Sequence, residues 1–313
     1  MEIHYSHENL QMVNPVVTTG IFDGVHTGHM AIINRLLACS RETGGESVVI
    51  TFHPHPKLVL EGIREEITYL STMDEKKALL AAAGVGHLLI IGFTREFSRL
   101  SAREFVNDIL AEKIGTRKLI IGHDHHFGYR GSGNYSTVRE YAAAAGIEVE
   151  QTEGIVSDGA VISSSRIRSA LVSGRLNDAN RWLGYPYPLR GAVIKGRKIG
   201  RELGFPTANI KPFDKYKLIP ANGVYAVEIR TGGMKRKGML SIGTNPTVTP
   251  DKDMRSVEVN IFDFEKDIYG NELEVIFRYR MRDEIKFSGR NELVRQMRKD
   301  MDNALKLLGG RIK

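Results

Sequence analysis

The chain has 313 residues, with 44 Lys or Arg against 37 Asp or Glu and a formal net charge of +7, long enough for two domains with substantial cores. Its basic residues are scattered apart from one clump at Lys235, Arg236 and Lys237, which suits phosphate-bearing small ligands at least as well as nucleic acid. The single cysteine, Cys39, excludes an internal disulfide and fits a reducing cytoplasm, and neither a membrane-length apolar run nor a signal-peptide pattern is present.

The apolar run through Val16, Val17, Ile21 and Phe22 predicts a strand, Asp23-Gly24 a turn, and Met30, Ile33, Leu36 and Leu37 the buried stripe of a helix. His26 and His29 then fall in that helix's first turn, beside open backbone N–H groups and the positive end of the helix dipole. The segment is an anion site with two imidazole donors, unless the pair merely caps a turn. Cys39 lies on the same helix and is expected to pack as a small hydrophobe.

Ser47–Phe52 reads as the next strand, stopped by the prolines of His53-Pro54-His55-Pro56. A helix over Ser71–Ala83 is expected to open on a Ser-x-x-Asp cap, followed by a strand at Leu88–Gly92. The pattern repeats with a helix at Ser101–Ile114 and a strand at Lys118–Ile121, which runs into the polar segment 122–128. A helix at Thr137–Ala145, a strand at Ile147–Gln151 and a helix near Ser164–Val172 complete the half. Such alternation predicts a Rossmann-like α/β unit, a parallel sheet covered on both faces, with ligands beyond the strands' C-terminal ends. Seven of the ten histidines lie in segments 23–29, 53–56 and 122–128, each directly after a predicted strand. They should converge on one crevice, and with Asp124 a metal site is the alternative reading. In Ile162–Arg168 (ISSSRIR), hydroxyls at a helix start and Arg166 and Arg168 can grip a polyphosphate; alone, the segment also reads as a serine cap with surface arginines.

GIFDGVHTGH, TFHPHP, GHDHHFG with Gly131 and Gly133, and ISSSRIR, in this order, resemble the adenylyltransferase half of the bacterial bifunctional riboflavin kinase/FMN adenylyltransferase (FAD synthetase) family. The resemblance implies that His26 and His29 contact the ATP phosphates and the charge that builds on the α-phosphorus. It places Gly20, Phe22, Asp23 and Gly24 at the ATP, Ser164, Ser165 and Arg168 on its triphosphate, and His53, Asp124, His126 and Phe127 on the flavin side. Ser165 stands where threonine is usual, and His126 where arginine is common.

Beyond Leu183–Pro188, which reads as a linker, the apolar residues alternate in twos: Val224 and Ala226, Leu240 and Ile242, Val257, Val259 and Ile261, Leu273, Val275 and Phe277. Glycine turns separate them at the spacing of an antiparallel sheet or small β-barrel, with a terminal helix near Arg290–Leu308. The division is therefore expected at 184/185. Lys195–Asn209 (KGRKIGRELGFPTAN) combines Gly196, Gly200 and Gly204 with basic residues, as a loop closing over phosphates would. It is not a Walker A sequence. Thr207 and Asn209 share one face of a beginning strand, and Glu258 and Asn260 share the face opposite Val257, Val259 and Ile261.

GRELGFPTAN, NGVYAV, GTNPTV, VEVNIFDF, DIYG and RDEIKF resemble the kinase half of the same family, so the resemblance spans nearly the whole chain. It implies Mg²⁺-ATP on Thr207 and Asn209 (both also metal ligands), with Gly196, Lys198, Gly200 and Gly204 at the nucleotide. It makes Glu258 the base for the riboflavin 5′-hydroxyl and places Arg282 in the loop over the flavin; Asn260 replaces a frequent histidine. The expected partners are small molecules (ATP, riboflavin and FMN), with no nucleic acid and no membrane. The alternative is another HxGH-type nucleotidyltransferase carrying an accessory barrel.

Overall fold

The structure is a computed structural model that describes every residue except Asn9, 61–66, 124–127, 129–132, 197–199, 201–202, 245–254 and 310–313. The contacts divide the chain into two compact units, Met1–Ser164 and Ser165–Lys313.

In the first unit, β1 (Glu2–His4), β2 (Val16–Thr19), β3 (Ser47–His53), β4 (His87–Gly92), β5 (Lys118–Gly122) and β6 (Glu148–Thr152) pair in parallel in the order β1-β4-β3-β2-β5-β6, and β7 (Val156–Ser157) and β8 (Ala160–Val161) form a separate antiparallel pair. The connecting helices are α1 (Thr27–Glu42), α2 (Pro56–Leu60), α3 (Met73–Ala82), α4 (Ala102–Glu104) and α5 (Tyr135–Ala144). Successive residues of a strand point to opposite layers, so a sheet covered on both faces needs apolar side chains at every position. Val17, Val48, Ile50 and Leu89 pack against Phe105 and Val106 on the chain after α4 and against Val138 and Ala142 of α5. Their neighbours Val16, Val49 and Leu88 pack the other way, against Ile33 and Leu36 of α1 and Leu80 of α3. Cys39 lies in that second layer, where burial pushes its thiol pKa up.

Three local features depart from the sequence expectation. The helix expected over Ser101–Ile114 opens on the Ser101–Glu104 capping box but widens to a π-helix over Phe105–Lys113. α3 is capped one residue later than expected: Thr72 and Glu75 form the reciprocal box, leaving Ser71 for another task. β1, only three residues long and at the sheet edge, carried no readable pattern.

The second unit contains most of α6 (Ser164–Val172) and all of α7 (Leu176–Leu183), so the contacts divide the chain before the boundary expected at 184/185. β9 (Pro188–Ile194), β10 (Thr207–Pro212), β11 (Gly223–Thr231), β12 (Met234–Thr244), β13 (Arg255–Ile261) and β14 (Glu272–Arg282) close into an antiparallel barrel in the order β10-β13-β12-β11-β14-β9. The Leu183–Pro188 segment is tied down: Asn180 donates to the Phe277 carbonyl at 3.0 Å and accepts from the Tyr187 N–H at 2.9 Å. α8 (Arg290–Leu307) lays Met297, Met301 and Leu305 on Ala226, Met239 and Phe262. Ala226 therefore meets the helix, while Tyr225 meets Phe277 edge-on at 5.1 Å. With both of its faces covered, β11 reads as a run rather than an alternation. No described helix is long and apolar enough to cross a membrane.

Candidate active sites

In the first unit the chain runs from β2 to β3 and β4 on one side of the sheet, then returns to place β5 and β6 on the other. The switch lies between β2 and β5, where open α/β sheets bind ligands. Segments 23–29 and 53–56 and the start of the third, Gly122-His123, leave the adjacent ends of β2, β3 and β5.

The turn after β2 is held in an unusual conformation. Phe22 (φ 48°) and Val25 (φ 37°) both have positive φ, with Gly24 at 82° between them. Each non-glycine residue there costs on the order of 1–3 kcal/mol, so the surroundings must impose the shape. They do so through Asp23, whose buried carboxylate accepts from the backbone N–H of Leu70 at 2.9 Å and of Ser71 at 3.0 Å. The Ser71 hydroxyl in turn accepts from the Gly24 N–H at 2.8 Å, and the Ser164 hydroxyl donates to the Asp23 carbonyl at 2.9 Å. This is the task that the shifted α3 cap leaves to Ser71. It also gives Asp23, expected at the nucleotide, a clear role in shaping the turn.

The turn delivers the two histidines in a defined pair. His26 is the N-cap of α1 rather than part of its first turn: its Nδ1 accepts the His29 N–H at 3.3 Å. The imidazoles stack at 3.6 Å between centroids and 18° between planes, and the Phe22 ring lies 5.1 Å from that of His29. Two ring edges and the start of a 16-residue helix thus share one place.

Beneath the turn lies a group that sequence reasoning missed. Lys76 of α3 is buried, with its ammonium 3.4 Å from the Thr51 hydroxyl; burial pushes its pKa down to about 8, partly opposed by the charge of Asp23. Below pH 8 both folded and unfolded chains carry this proton, and the burial penalty is complete. Between about 8 and the ordinary 10.5 the unfolded chain holds more protons, so stability rises with pH. Lys76→Met is expected to stabilise the protein at pH 7 by at most about 3 kcal/mol. In thermal unfolding at a series of pH values, its advantage should vanish as pH rises from 8 to 10.5.

His53 ends β3, exposed. Arg168 donates to the Ser165 hydroxyl at 3.4 Å within α6, whereas the Arg166 guanidinium lies over the Trp182 ring at 4.1 Å. Asp124, His126 and Phe127, expected on the flavin side, and Lys198 of the glycine loop lie outside the described residues.

In the second unit, pairing of β10 with β13 sets Thr207 opposite Asn260 and Asn209 opposite Glu258, which puts all four on one face. The Thr207 hydroxyl is 3.5 Å from the Glu258 carboxylate. Asn260 is buried and donates to the Pro206 carbonyl at 2.7 Å, fixing the chain just before Thr207. The glycine loop approaches closely: a Cβ on Gly196 would fall 2.0 Å from the Asn209 amide nitrogen, and one on Gly200 would fall 2.3 Å from the Phe205 carbonyl. Gly204 takes φ 81° before the strand.

Thr207, Glu258, Asn260 and Arg282 line one cavity of about 180 Å³, with Met239, Leu293 and Met297 as apolar wall. Arg282 is held there by Asp300 of α8, with guanidinium contacts of 2.6–3.1 Å, and Gln296 donates to the same carboxylate at 2.8 Å. Asp300 was missed. Its signal is a charge on the buried stripe, three residues after Met297 and four before Ala304.

Two family models match side by side: FAD synthetase over residues 9–166 and riboflavin kinase over residues 183–308. A bifunctional riboflavin kinase/FMN adenylyltransferase of Listeria monocytogenes is 40% identical over 288 residues, 92% of this chain and 90% of that protein. The chain belongs to the bifunctional riboflavin kinase/FMN adenylyltransferase family. The Bacillus subtilis member is 34% identical, covering 97% of each chain. A solved structure from Streptococcus pneumoniae, titled a macrolide-efflux protein, superposes with a TM-score of 0.87 at 32% identity over 95% of this chain and 96% of that one. The His26–His29 turn lies in the residues matched to FAD synthetase, and the Thr207–Glu258 face lies in those matched to riboflavin kinase.

Proposed function

We infer that this chain performs two consecutive phosphorus transfers with ATP: riboflavin to FMN on the barrel, then FMN to FAD at the HxGH turn, with release of pyrophosphate. The observation that carries this reading is the pair of family models on one chain, each over a unit that offers matching chemistry. We assign the catalytic domains as 1–184 and 185–313.

In the first reaction, the riboflavin 5′-hydroxyl oxygen bonds to the γ-phosphorus as the bond to the ADP oxygen breaks. Glu258 takes the hydroxyl proton. The hydroxyl of Thr207, the amide of Asn209 and the nearby carboxylate form a hard-oxygen donor set, which fits Mg²⁺ held together with substrate phosphates. When bound, the ion supplies neutralisation of phosphate charge. Gly196, Lys198, Gly200 and Gly204 are assigned to the nucleotide and Arg282 to the flavin side. Gly196→Ala should displace the Asn209 amide with little effect on folding, because the colliding atom is the end of a side chain. We expect kinase kcat/KM to fall about 10- to 100-fold, the scale of an ångström's misplacement, with adenylylation of supplied FMN unchanged.

In the second reaction, a phosphate oxygen of FMN bonds to the ATP α-phosphorus and the bond to pyrophosphate breaks. The attacking oxygen is already anionic and needs no base. His26, His29 and the start of α1 are assigned to the charge that builds at phosphorus, with Gly20, Phe22, Asp23 and Gly24 at the ATP, Ser164, Ser165 and Arg168 on the triphosphate, and His53, Asp124, His126 and Phe127 on the flavin side. The lone buried cysteine supports a cytoplasmic location.

The direct test is an HPLC time course of the protein with riboflavin, ATP and Mg²⁺. FMN should appear first and give way to FAD. FMN that accumulates without FAD would refute the adenylylation assignment, and unchanged riboflavin the kinase assignment.

A further inference from the structure

At the opposite end of the parallel sheet from the HxGH turn, the first residue of β4 and the two ends of the short edge strand β1 gather a cluster that neither phosphorus transfer uses. Glu2 and His4 are alternate residues of β1 and so share a face; Glu2 pairs in register with His87, the first residue of β4. His4 Nε2 and His87 Nδ1 are 3.1 Å apart, and Glu2 Oε2 is 3.8 Å from the same His87 nitrogen. Among the described residues, these are the ones whose carboxylate and ring nitrogens all come within 4.8 Å of one another.

We propose that Glu2, His4 and His87 form a binding site for a divalent transition-metal ion of the zinc class, which fastens the edge strand β1 to β4. Two imidazole nitrogens and one carboxylate make a donor set that zinc uses with a fourth, open position for water. Tetrahedral bonds of about 2.0 Å place ligand atoms roughly 3.3 Å apart, so the 3.1 and 3.8 Å separations need only tenths of an ångström of adjustment. Without metal, one ring donates to the other across the 3.1 Å contact.

A second feature points to the same ligand. The other ring nitrogen of His87, Nε2, faces the carboxylate of Glu46 at 3.6 Å. A carboxylate on the far nitrogen orients a ligating imidazole and raises its basicity, the arrangement that commonly supports metal-bound histidine. His87 is the natural centre, with 12% side-chain exposure, while Glu2 at 74% leaves the site open to entry from solvent. The ion would hold β1, otherwise kept by a three-residue ladder, at the sheet edge.

The test uses the full-length, tag-free protein without nucleotide or Mg²⁺, titrated with Co²⁺ and then Zn²⁺. We expect one Co²⁺ per chain with the intense visible absorption of a four-coordinate site, displaced by Zn²⁺, and Zn²⁺ should raise the unfolding temperature. His4→Gln and Glu2→Gln, both on the short terminal strand, should remove the absorption and the thermal shift while keeping the metal-free unfolding temperature. Glu46→Gln should weaken binding by about 10- to 100-fold. FMN and FAD formation by His4→Gln should be unchanged. Absence of binding to the wild type, or undiminished binding to His4→Gln, would overturn the proposal, the second result placing the ion elsewhere, as on the histidines of the HxGH crevice.

Discussion

His29→Ala is expected to slow conversion of supplied FMN to FAD by about 10²- to 10³-fold, the usual loss when one donor aimed at developing negative charge is removed. Conversion of riboflavin to FMN by the same preparation should be unchanged. His29 is the cleaner of the two histidines to remove. The cap of α1 is a bond from the His29 backbone N–H to His26 Nδ1, and alanine at position 29 keeps that N–H. Truncating His26 instead removes the cap acceptor, a loss of about 1 kcal/mol in helix stability that would be mixed with any catalytic effect. The stacked geometry adds a further check. With ring centroids 3.6 Å apart, removal of one imidazole leaves the other less constrained, so His29→Gln, which restores bulk and a donor, should recover part of the lost rate. Steady-state assays with FMN and ATP varied separately would show the loss mainly in kcat. Loss of both activities in a folded His29→Ala protein would contradict separate sites.

What the sequence made legible was what neighbouring residues decide. The two spacings, continuous apolar runs before helices and alternation in twos after Pro188, correspond to the covered parallel sheet and the closed barrel. Segments 23–29 and 53–56 and the start of the third, Gly122-His123, leave adjacent strand ends, because a parallel sheet carries every strand end to the same side. What stayed hidden depends on partners far along the chain. Asp23 looks like a nucleotide contact in a motif, and only the fold brings it to Leu70 and Ser71. Ser71 reads as the cap of α3, and the reciprocal bonds of Thr72 with Glu75 move the cap one residue on. Lys76 sits on α3 with nothing local to mark it as buried, and Asp300 could be found only by asking why a charge occupies an apolar stripe. Asn260, a departure from the family pattern, proves to secure the Pro206 carbonyl. The Asn260 amide thus has a structural task of its own at that position.

Glu258→Gln should give the reverse result: FMN formation reduced by about 10²- to 10⁴-fold, the range of a lost general base, with FAD formation from supplied FMN intact. Glutamine keeps the shape and can still accept from the Thr207 hydroxyl 3.5 Å away, so the pairing of β10 with β13 and the barrel should persist. What it loses is the capacity to take the 5′-hydroxyl proton, so the defect should lie in kcat, with the KM for riboflavin little changed. Glu258→Asp separates basicity from reach. It retains a carboxylate but withdraws it by about one methylene, and activity between that of wild type and Glu258→Gln would mark proton removal as the function. Equal loss in Asp and Gln variants, together with a raised KM for ATP, would instead make Glu258 a holder of the Mg²⁺-nucleotide beside Thr207 and Asn209, which share its face of the barrel. The pH profile distinguishes the same alternatives: a base must be ionised, so kinase kcat should fall on the acid side for wild type, and Glu258→Gln should lose that limb.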